Sequence, residues 1–156
     1  ARTAEIDRVL NTYFDMDSIT RFSAGQYWRA ASSEQKTEYG SLLREVLCGK
    51  IVRNFDQLQG LAYTADAARA KGDKFVIVTG TFTDTTGQQP AVKVNWRVVT
   101  REGAAPKVFD IEIENLSLLV TQKQENVAVI RKKKGEFVAL INAMKDRLAN
   151  PVHNDS

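Results

Sequence analysis

Few side chains in this sequence have the types and spacing that catalysis requires. Asp110, Glu112 and Glu114 form a cluster of carboxylates, and paired carboxylates commonly carry out general acid–base chemistry. Their spacing of two residues places all three on the same side of a strand, which is typical of a solvated sheet face. The sequence also lacks a glycine-rich phosphate loop, an HExxH helix, a nucleophile elbow and a CxxC pair. We therefore predict that the protein is not an enzyme.

Residue types that bind metals are equally scarce. Cys48 is the single cysteine, which excludes a disulfide framework and a zinc site built on thiolates. It falls on the apolar face of a predicted helix, and we interpret it as an inert core thiol, with a reactive thiol as the alternative. The single histidine, His153, lies in a polar tail that we expect to be frayed. We predict no metal and no cofactor.

A run of four basic residues, Arg131, Lys132, Lys133 and Lys134, ends a predicted helix. Positive charge at a helix C-terminus opposes the helix dipole favourably, so a solvated helix end is the simpler interpretation. Docking against anionic lipid or an acidic partner is the alternative. A single basic run without interleaved aromatic residues gives little support to nucleic-acid binding, and we predict none.

The length of the chain sets its domain organisation. With 156 residues the chain can bury one core, and its apolar runs fall short of the roughly 20 residues that span a bilayer. The N-terminus, ARTAEIDRVL, has neither the apolar stretch nor the cleavage site of a signal peptide. Any export signal has therefore been removed or lies outside this sequence. We predict a single domain over residues 1–150 and a frayed tail over residues 151–156.

Helical periodicity marks both ends of the chain. A capping box at Ser32 and Gln35 predicts the start of the longest helix. Its apolar stripe runs through Tyr39, Leu42, Leu43, Val46, Leu47, Ile51, Phe55 and Leu58. A shorter apolar stripe of Ile6, Val9, Leu10 and Tyr13 precedes it. Two helices are predicted to close the chain, one around Asn126 to Lys134 and one from Glu136 to Leu148.

The middle of the sequence predicts strands. Three segments, KFVIVTGTFT, AVKVNWRVV and KVFDIEIENLSLLV, are rich in β-branched and aromatic residues, and turn formers separate them. Tyr63 to Ala70 is a weaker candidate. Antiparallel pairing of the last two segments matches apolar side chains with each other and opposite charges with each other. The expected pairs are Val98 with Phe109, Trp96 with Ile111, Val94 with Ile113, Lys93 with Glu114, and Arg97 with Asp110.

Extending this register places Val76, Val78, Gly80 and Phe82 on the dry face beside Trp96 and its neighbours. Gly80 removes a side chain there, which indicates either a bulge or bend in the sheet or room for a ligand lying along it. Together the elements predict a single α+β domain, with helices packed on one face of a twisted antiparallel sheet of about four strands. The pattern by itself identifies no ligand.

Two long segments carry a resemblance to a known family. YFDMDSITRFSAGQYWRAASSEQKTEYGSLLREVL and KVNWRVVTREGAAPKVFDIEIENLSLLVTQKQENVAVIRKKKG resemble the signatures of the MlaC or toluene-tolerance family of periplasmic phospholipid-binding proteins. The matching features include YFD, Trp-Arg, an Ala-Ser-x-Glu-Gln helix start and the later Asn-Trp-Arg-Val. The two segments cover most of the chain, and the order and spacing of these motifs make the resemblance specific.

The resemblance implies a fold with an apolar cavity between sheet and helices, in which acyl chains are held. It implies a monomeric carrier in the periplasm that moves phospholipid between an outer-membrane lipoprotein complex and an inner-membrane ABC transporter, and so maintains the lipid asymmetry of the outer membrane. Such a carrier is physically necessary because each methylene exposed to water costs about 0.8 kcal/mol.

We expect twelve side chains to line or floor this cavity. They are Phe22, Leu43, Val46, Leu47, Ile51 and Phe55 from the helices, and Val78, Val94, Trp96, Phe109, Ile111 and Ile113 from the sheet. Three alternatives stay open: a carrier of another apolar lipid such as a hopanoid, an isomerase-like enzyme on a cone-shaped fold, and a groove for a partner's helix. The enzyme would require an ionisable residue inside the cavity.

Overall fold

The computed structural model describes residues 2–150, which form five α-helices and five strands. The helices are α1 (Arg2–Tyr13), α2 (Met16–Ala24), α3 (Ser33–Asp56), α4 (Leu118–Lys132) and α5 (Phe137–Ala149). The strands are β1 (Ala62–Lys71), β2 (Phe75–Thr83), β3 (Val92–Val99), β4 (Lys107–Ile113) and β5 (Leu116–Ser117). The predicted α+β class is confirmed. The predicted tail, residues 151–156, lies outside the described residues.

The strands form one antiparallel sheet in the order β1-β2-β3-β4-β5. The sheet has five strands rather than about four, because a tight turn after β4 adds the two-residue strand β5. Two residues of that turn, Glu114 and Asn115, have positive φ values of 50° and 67°, a conformation that few side chains tolerate. The turn reverses the chain so that α4 can start at once beside β4.

The register between β3 and β4 confirms most of the predicted pairs. Val94 lies opposite Ile113, Trp96 opposite Ile111 and Arg97 opposite Asp110. Val98, however, lies opposite Val108 rather than Phe109, so that predicted pair is wrong. Phe109 is the extra residue of a β-bulge, which bends the strand and brings its ring within 5.6 Å of the Phe22 ring, centroid to centroid.

Asp110 corrects a second prediction, because it does not lie on a solvated face. Its side chain is buried and accepts hydrogen bonds from the backbone N–H groups of Ile111 (2.7 Å) and Leu119 (3.0 Å), and from the Ser117 hydroxyl. Arg97 instead forms its ion pair with Glu112, at 3.4 Å. The turn after β4 is responsible, since it folds the N-terminus of α4 over the carboxylate.

The first of the two closing helices starts earlier than predicted, whereas α5 is shifted by only one residue. α4 begins at Leu118 rather than near Asn126, because Ser117 accepts a hydrogen bond from the Val120 N–H and caps the helix. The sequence predicts a strand for Leu118, Leu119 and Val120, yet these residues form the first turn of this helix.

Most of the core lies among the helices. Tyr39, Leu43, Ile130, Leu140 and Ile141 are almost completely enclosed there. The helices pack chiefly on one another and reach the sheet mainly through β4, while β1 is exposed along its whole length. A wedge-shaped space is therefore left between the helices and the dry face of the sheet.

Cys48 is buried in the helical core, as predicted for a core thiol. Burial raises the pKa of this thiol, and the nearby charge of Asp7 adds to the shift. The thiolate is the reactive form of cysteine, so the structure favours the inert interpretation. Within residues 2–150, none of the helices combines the length and apolarity that a membrane span needs.

Candidate functional site

Two adjoining apolar cavities occupy the wedge between the helices and the sheet. The large chamber has a volume of about 230 Å³ and is lined by Ile6, Val9, Leu10, Phe14, Ile51, Phe55, Trp96 and Ile111. The small chamber has a volume of about 30 Å³ and is lined by Leu10, Phe14, Ile19, Leu47, Lys50, Ile51, Phe109, Asp110, Ile111, Leu118 and Leu119. Four walls are shared by both chambers, so they form one continuous apolar region.

Two larger depressions on the surface are less suited to an apolar ligand. One, between α2 and α3, has a volume of about 580 Å³ and carries Arg21, Lys36 and Arg44 among its walls. The other, between α1 and α3, has a volume of about 750 Å³ and also presents charged side chains. Both are lined by charged side chains, and hydrocarbon gains free energy by moving from water into apolar surroundings. The smaller apolar chambers are therefore the candidate site.

Half of the twelve predicted side chains line the chambers. Leu47, Ile51 and Phe55 from α3, and Trp96, Phe109 and Ile111 from the sheet, all lie in the chamber walls. The three α3 residues are spaced by four, which places them on one helix face. The sheet residues come from β3 and from β4, the strand on which the helices mainly pack.

The other six lie outside the chamber walls. Leu43, Val46 and Val94 are buried in the packed interior. Phe22 packs edge-on against the Phe109 ring. Val78 and Ile113 are half-buried on the sheet. The apolar pattern marks a side chain as inward-facing, but it does not separate a tightly packed neighbour from one that borders an empty space.

Helix α1 supplies walls that the sequence analysis did not assign to the site. Ile6, Val9 and Leu10 line the large chamber, together with Phe14 just after the helix. The spacing of the first three was a usable signal for an inward helix face. Tyr13, which shares that spacing, is 54% exposed, because the inward position at the end of the helix is taken by Phe14.

Two ionisable side chains border the small chamber, and both already have partners. The Lys50 ammonium donates to Gln122 Oε1 at 2.6 Å and lies 3.5 Å from Glu125 Oε2; burial lowers its pKa. Burial likewise raises the pKa of Asp110, but both carboxylate oxygens accept hydrogen bonds that fix the start of α4. Asp110 thus holds a helix in place and is not directed at a substrate, which weakens the isomerase alternative.

The sequence profile of the MlaC protein family matches residues 1–146. The chain belongs to the MlaC family. Among solved structures, it is similar to the phospholipid-binding protein from Ralstonia solanacearum in complex with a phospholipid, with 22% sequence identity and a TM-score of 0.79. That likeness covers 95% of this chain and 83% of the other, so the fold is shared over nearly the whole MlaC domain.

Gly80 of this MlaC protein has a neighbour that the sequence did not reveal. The ring of Tyr63 fills the space above Gly80, so the free space predicted there for a ligand is occupied in this structure. The bulge predicted at Gly80 lies instead on the neighbouring strand, between Ala65 and Ala67 of β1, while Gly80 pairs regularly with Val94. The sheet is therefore irregular at this point, and an aromatic side chain occupies the gap.

The basic run from Arg131 to Lys134 is exposed at the end of α4. Its first two residues lie in the last turn of the helix, where positive charge is favourable. The interpretation as a solvated helix end is consistent with this placement, and docking through the run stays a prediction.

Proposed function

We propose that this protein is a phospholipid carrier of the periplasm, which holds acyl chains between its helices and its sheet. The observation that carries the proposal is the pair of adjoining apolar chambers bounded by α1, α3, β3 and β4. Membership of the MlaC family and the similarity to a protein in complex with a phospholipid support it. In this proposal the protein works as a monomer, between an outer-membrane lipoprotein complex and an inner-membrane ABC transporter, to maintain lipid asymmetry.

The chemistry of the walls suits transport rather than tight recognition. Each methylene removed from water contributes about 0.8 kcal/mol, so an apolar wall supplies affinity without any polar contact. Within residues 2–150, the walls of the large chamber include no ionisable side chain. Binding therefore depends on hydrocarbon, and the lipid is released when another apolar surface offers equivalent cover.

The chambers must widen when a lipid enters. The large chamber, at about 230 Å³, is below the roughly 300–1,000 Å³ of pockets that enclose drug-sized ligands, and a phospholipid is larger than such ligands. In this proposal α1 is the wall that moves, because its packing is chiefly on one other element, α3. The segment after α1 is held to β4 by the hydrogen bond from Asp15 N to Val108 O, at 2.9 Å.

A pair of matched substitutions tests the proposal. Val9→Trp places a large ring in the chamber, while Val138→Trp makes the same change at an exposed position of α5. Each protein is incubated with vesicles of phosphatidylethanolamine and phosphatidylglycerol and re-isolated. Bound lipid is then extracted and measured by mass spectrometry, and circular dichroism checks the fold.

We expect the unaltered protein and Val138→Trp to carry phospholipid and Val9→Trp to lose most of it. Equal amounts of bound phospholipid in the two variants would show that the large chamber does not hold the acyl chains. A protein that takes up no phospholipid, but carries a fused-ring lipid from a bacterial extract, would establish the hopanoid alternative instead.

A further inference from the structure

An apolar strip of β2 continues the dry face beyond the large chamber. We define the β2 strip as Val78, Gly80 and Phe82. Val78 pairs with Trp96, and Trp96 is itself a wall of the chamber. A hydrocarbon chain that passed Trp96 would therefore meet the β2 strip next.

Tyr63 covers this strip. It lies opposite Phe82 on the neighbouring strand β1, with the two ring centroids 4.8 Å apart. Its hydroxyl accepts a hydrogen bond from Trp96 Nε1 at 3.2 Å. The Tyr63 ring thus connects the β2 strip to the wall of the chamber.

The glycine at position 80 is explained by this ring. A Cβ atom built on Gly80 would overlap the Tyr63 ring, so any larger residue would displace it. The backbone of Gly80 does not have a positive φ, so the conformation of the strand does not require glycine. Gly80 and Tyr63 are a matched pair, in which the missing side chain leaves room for the ring over the strand backbone.

Tyr63 lies at the edge of the sheet, and its ring contacts are made with residues of the sheet. It belongs to an edge strand that is exposed along its whole length, and its own side chain is 43% exposed. The bulge between Ala65 and Ala67 interrupts the pairing of β1 right beside Gly80. An outward rotation of the ring would break its contacts with Phe82 and Trp96, which belong to the sheet and not to the helical core.

We propose that Tyr63 determines how many acyl chains the protein holds. With the ring on Gly80, the β2 strip is covered, and the widened chamber holds one chain. With the ring turned outward, the β2 strip becomes the bed for a second chain that leaves the chamber past Trp96. This inference rests on the proposed lipid-binding function and assigns a specificity-determining residue to it.

The test compares lipids with one and two chains. Competition binding measures the affinity for dioleoyl phosphatidylethanolamine and for its single-chain lyso form, with Tyr63→Ala, Gly80→Ala and the control Thr64→Ala. Tyr63→Ala removes the ring, and Gly80→Ala pushes it off the strip. Thr64 is on the opposite face of the same strand, so its substitution tests for general damage to β1.

We expect the preference for the two-chain lipid over the one-chain lipid to be roughly tenfold greater in Tyr63→Ala and Gly80→Ala than in the unaltered protein. In these two variants the hydrogen bond to Trp96 and the ring contact no longer have to be broken before the second chain binds. Tyr63→Phe keeps the ring but loses the bond to Trp96, so its affinity ratio should lie between those of the unaltered protein and Tyr63→Ala. Thr64→Ala should leave the ratio unchanged. If the protein binds both lipids and neither ring variant changes the ratio, Tyr63 is only a packing residue and the inference is wrong. If the unaltered protein binds neither lipid, the proposed function fails as well.

Discussion

Tyr39 is the largest side chain that the helical core encloses completely. Its hydroxyl shares a hydrogen bond with the Ser23 hydroxyl and accepts another from Asn126 Nδ2 at 2.9 Å. Gln122 donates to Asn126 Oδ1 at 2.8 Å and accepts from the Lys50 ammonium. A chain of polar contacts thus runs from the core to the edge of the small chamber, and its members fix α2, α3 and α4 to one another.

Replacing Tyr39 with Phe should destabilise the protein in a pH-dependent way. The change leaves a buried N–H of Asn126 without its acceptor, which costs about 1–3 kcal/mol. Burial raises the pKa of Tyr39 to about 12, against an ordinary value of about 10. The folded protein therefore keeps this proton after the unfolded chain has lost it, and stability falls as the pH rises from about 10 towards about 12.

Urea unfolding at several pH values checks this prediction. Tyr39→Phe should be less stable than the unaltered protein at neutral pH, and the difference between the two should shrink from pH 10 upward. A difference that stays constant with pH would show that Tyr39 ionises as freely in the folded protein as in the unfolded chain.

For single residues, the sequence indicates which side chains face the core but not which side chains they contact there. The apolar stripe predicted that Tyr39 is buried, but Ser23 and Asn126 lie on two other helices, and their meeting depends on how those helices pack. Asp110 shows the same limit. Alternation along β4 predicted a solvated carboxylate, but hydrogen bonds from Ser117 and Leu119, which follow the next turn, bury it.

α3 supplies more of the chamber walls than any other single element. It begins with a capping box in which the Gln35 N–H donates to Ser32 Oγ at 3.1 Å and the Ser32 N–H donates to Gln35 Oε1 at 2.9 Å. The helix then runs for 24 residues and carries Leu47, Ile51 and Phe55 to the chambers. The cap and the site are separated by several helical turns.

Ser32→Ala should weaken the helix without changing the site. Loss of a serine N-cap costs about 1 kcal/mol, within a range of about 0.5–2 kcal/mol. The free energy of unfolding, measured with urea, is expected to fall by that amount while phospholipid loading stays the same. A large loss of loading at unchanged stability would mean that the cap region itself contacts the lipid.

Elements were predictable where their signals are local. The start of α3 was predicted correctly because both halves of the capping box are close together in the sequence. The start of α4 was not, because Leu118, Leu119 and Val120 fit a strand equally well. What decides their conformation is the turn at Glu114 and Asn115, whose positive φ values are not evident from the residue types.

In the whole molecule, a packed layer of helices lies beside the sheet and covers only part of it. This arrangement leaves the wedge that holds both chambers and exposes β1 at the far side. The α+β class and the antiparallel pairing followed from the sequence because alternation and periodicity are properties of single segments. The extent of the chambers did not follow from the sequence, because it depends on the position of α1. Ile6, Val9 and Leu10 of this helix complete the walls.

Quenching of tryptophan fluorescence by phospholipids brominated on their acyl chains tests the central claim most directly. Of the two tryptophans, Trp96 lines the large chamber, while Trp28 lines a charged surface groove and has the Lys36 ammonium 5.1 Å from its ring centroid. Bromine quenches at close range, so Trp28→Phe, in which Trp96 is the remaining tryptophan, should be quenched strongly on loading. Trp96→Phe should be quenched little. Equal quenching of the two variants, or none in Trp28→Phe while lipid is bound, would contradict the placement of acyl chains between the helices and the sheet.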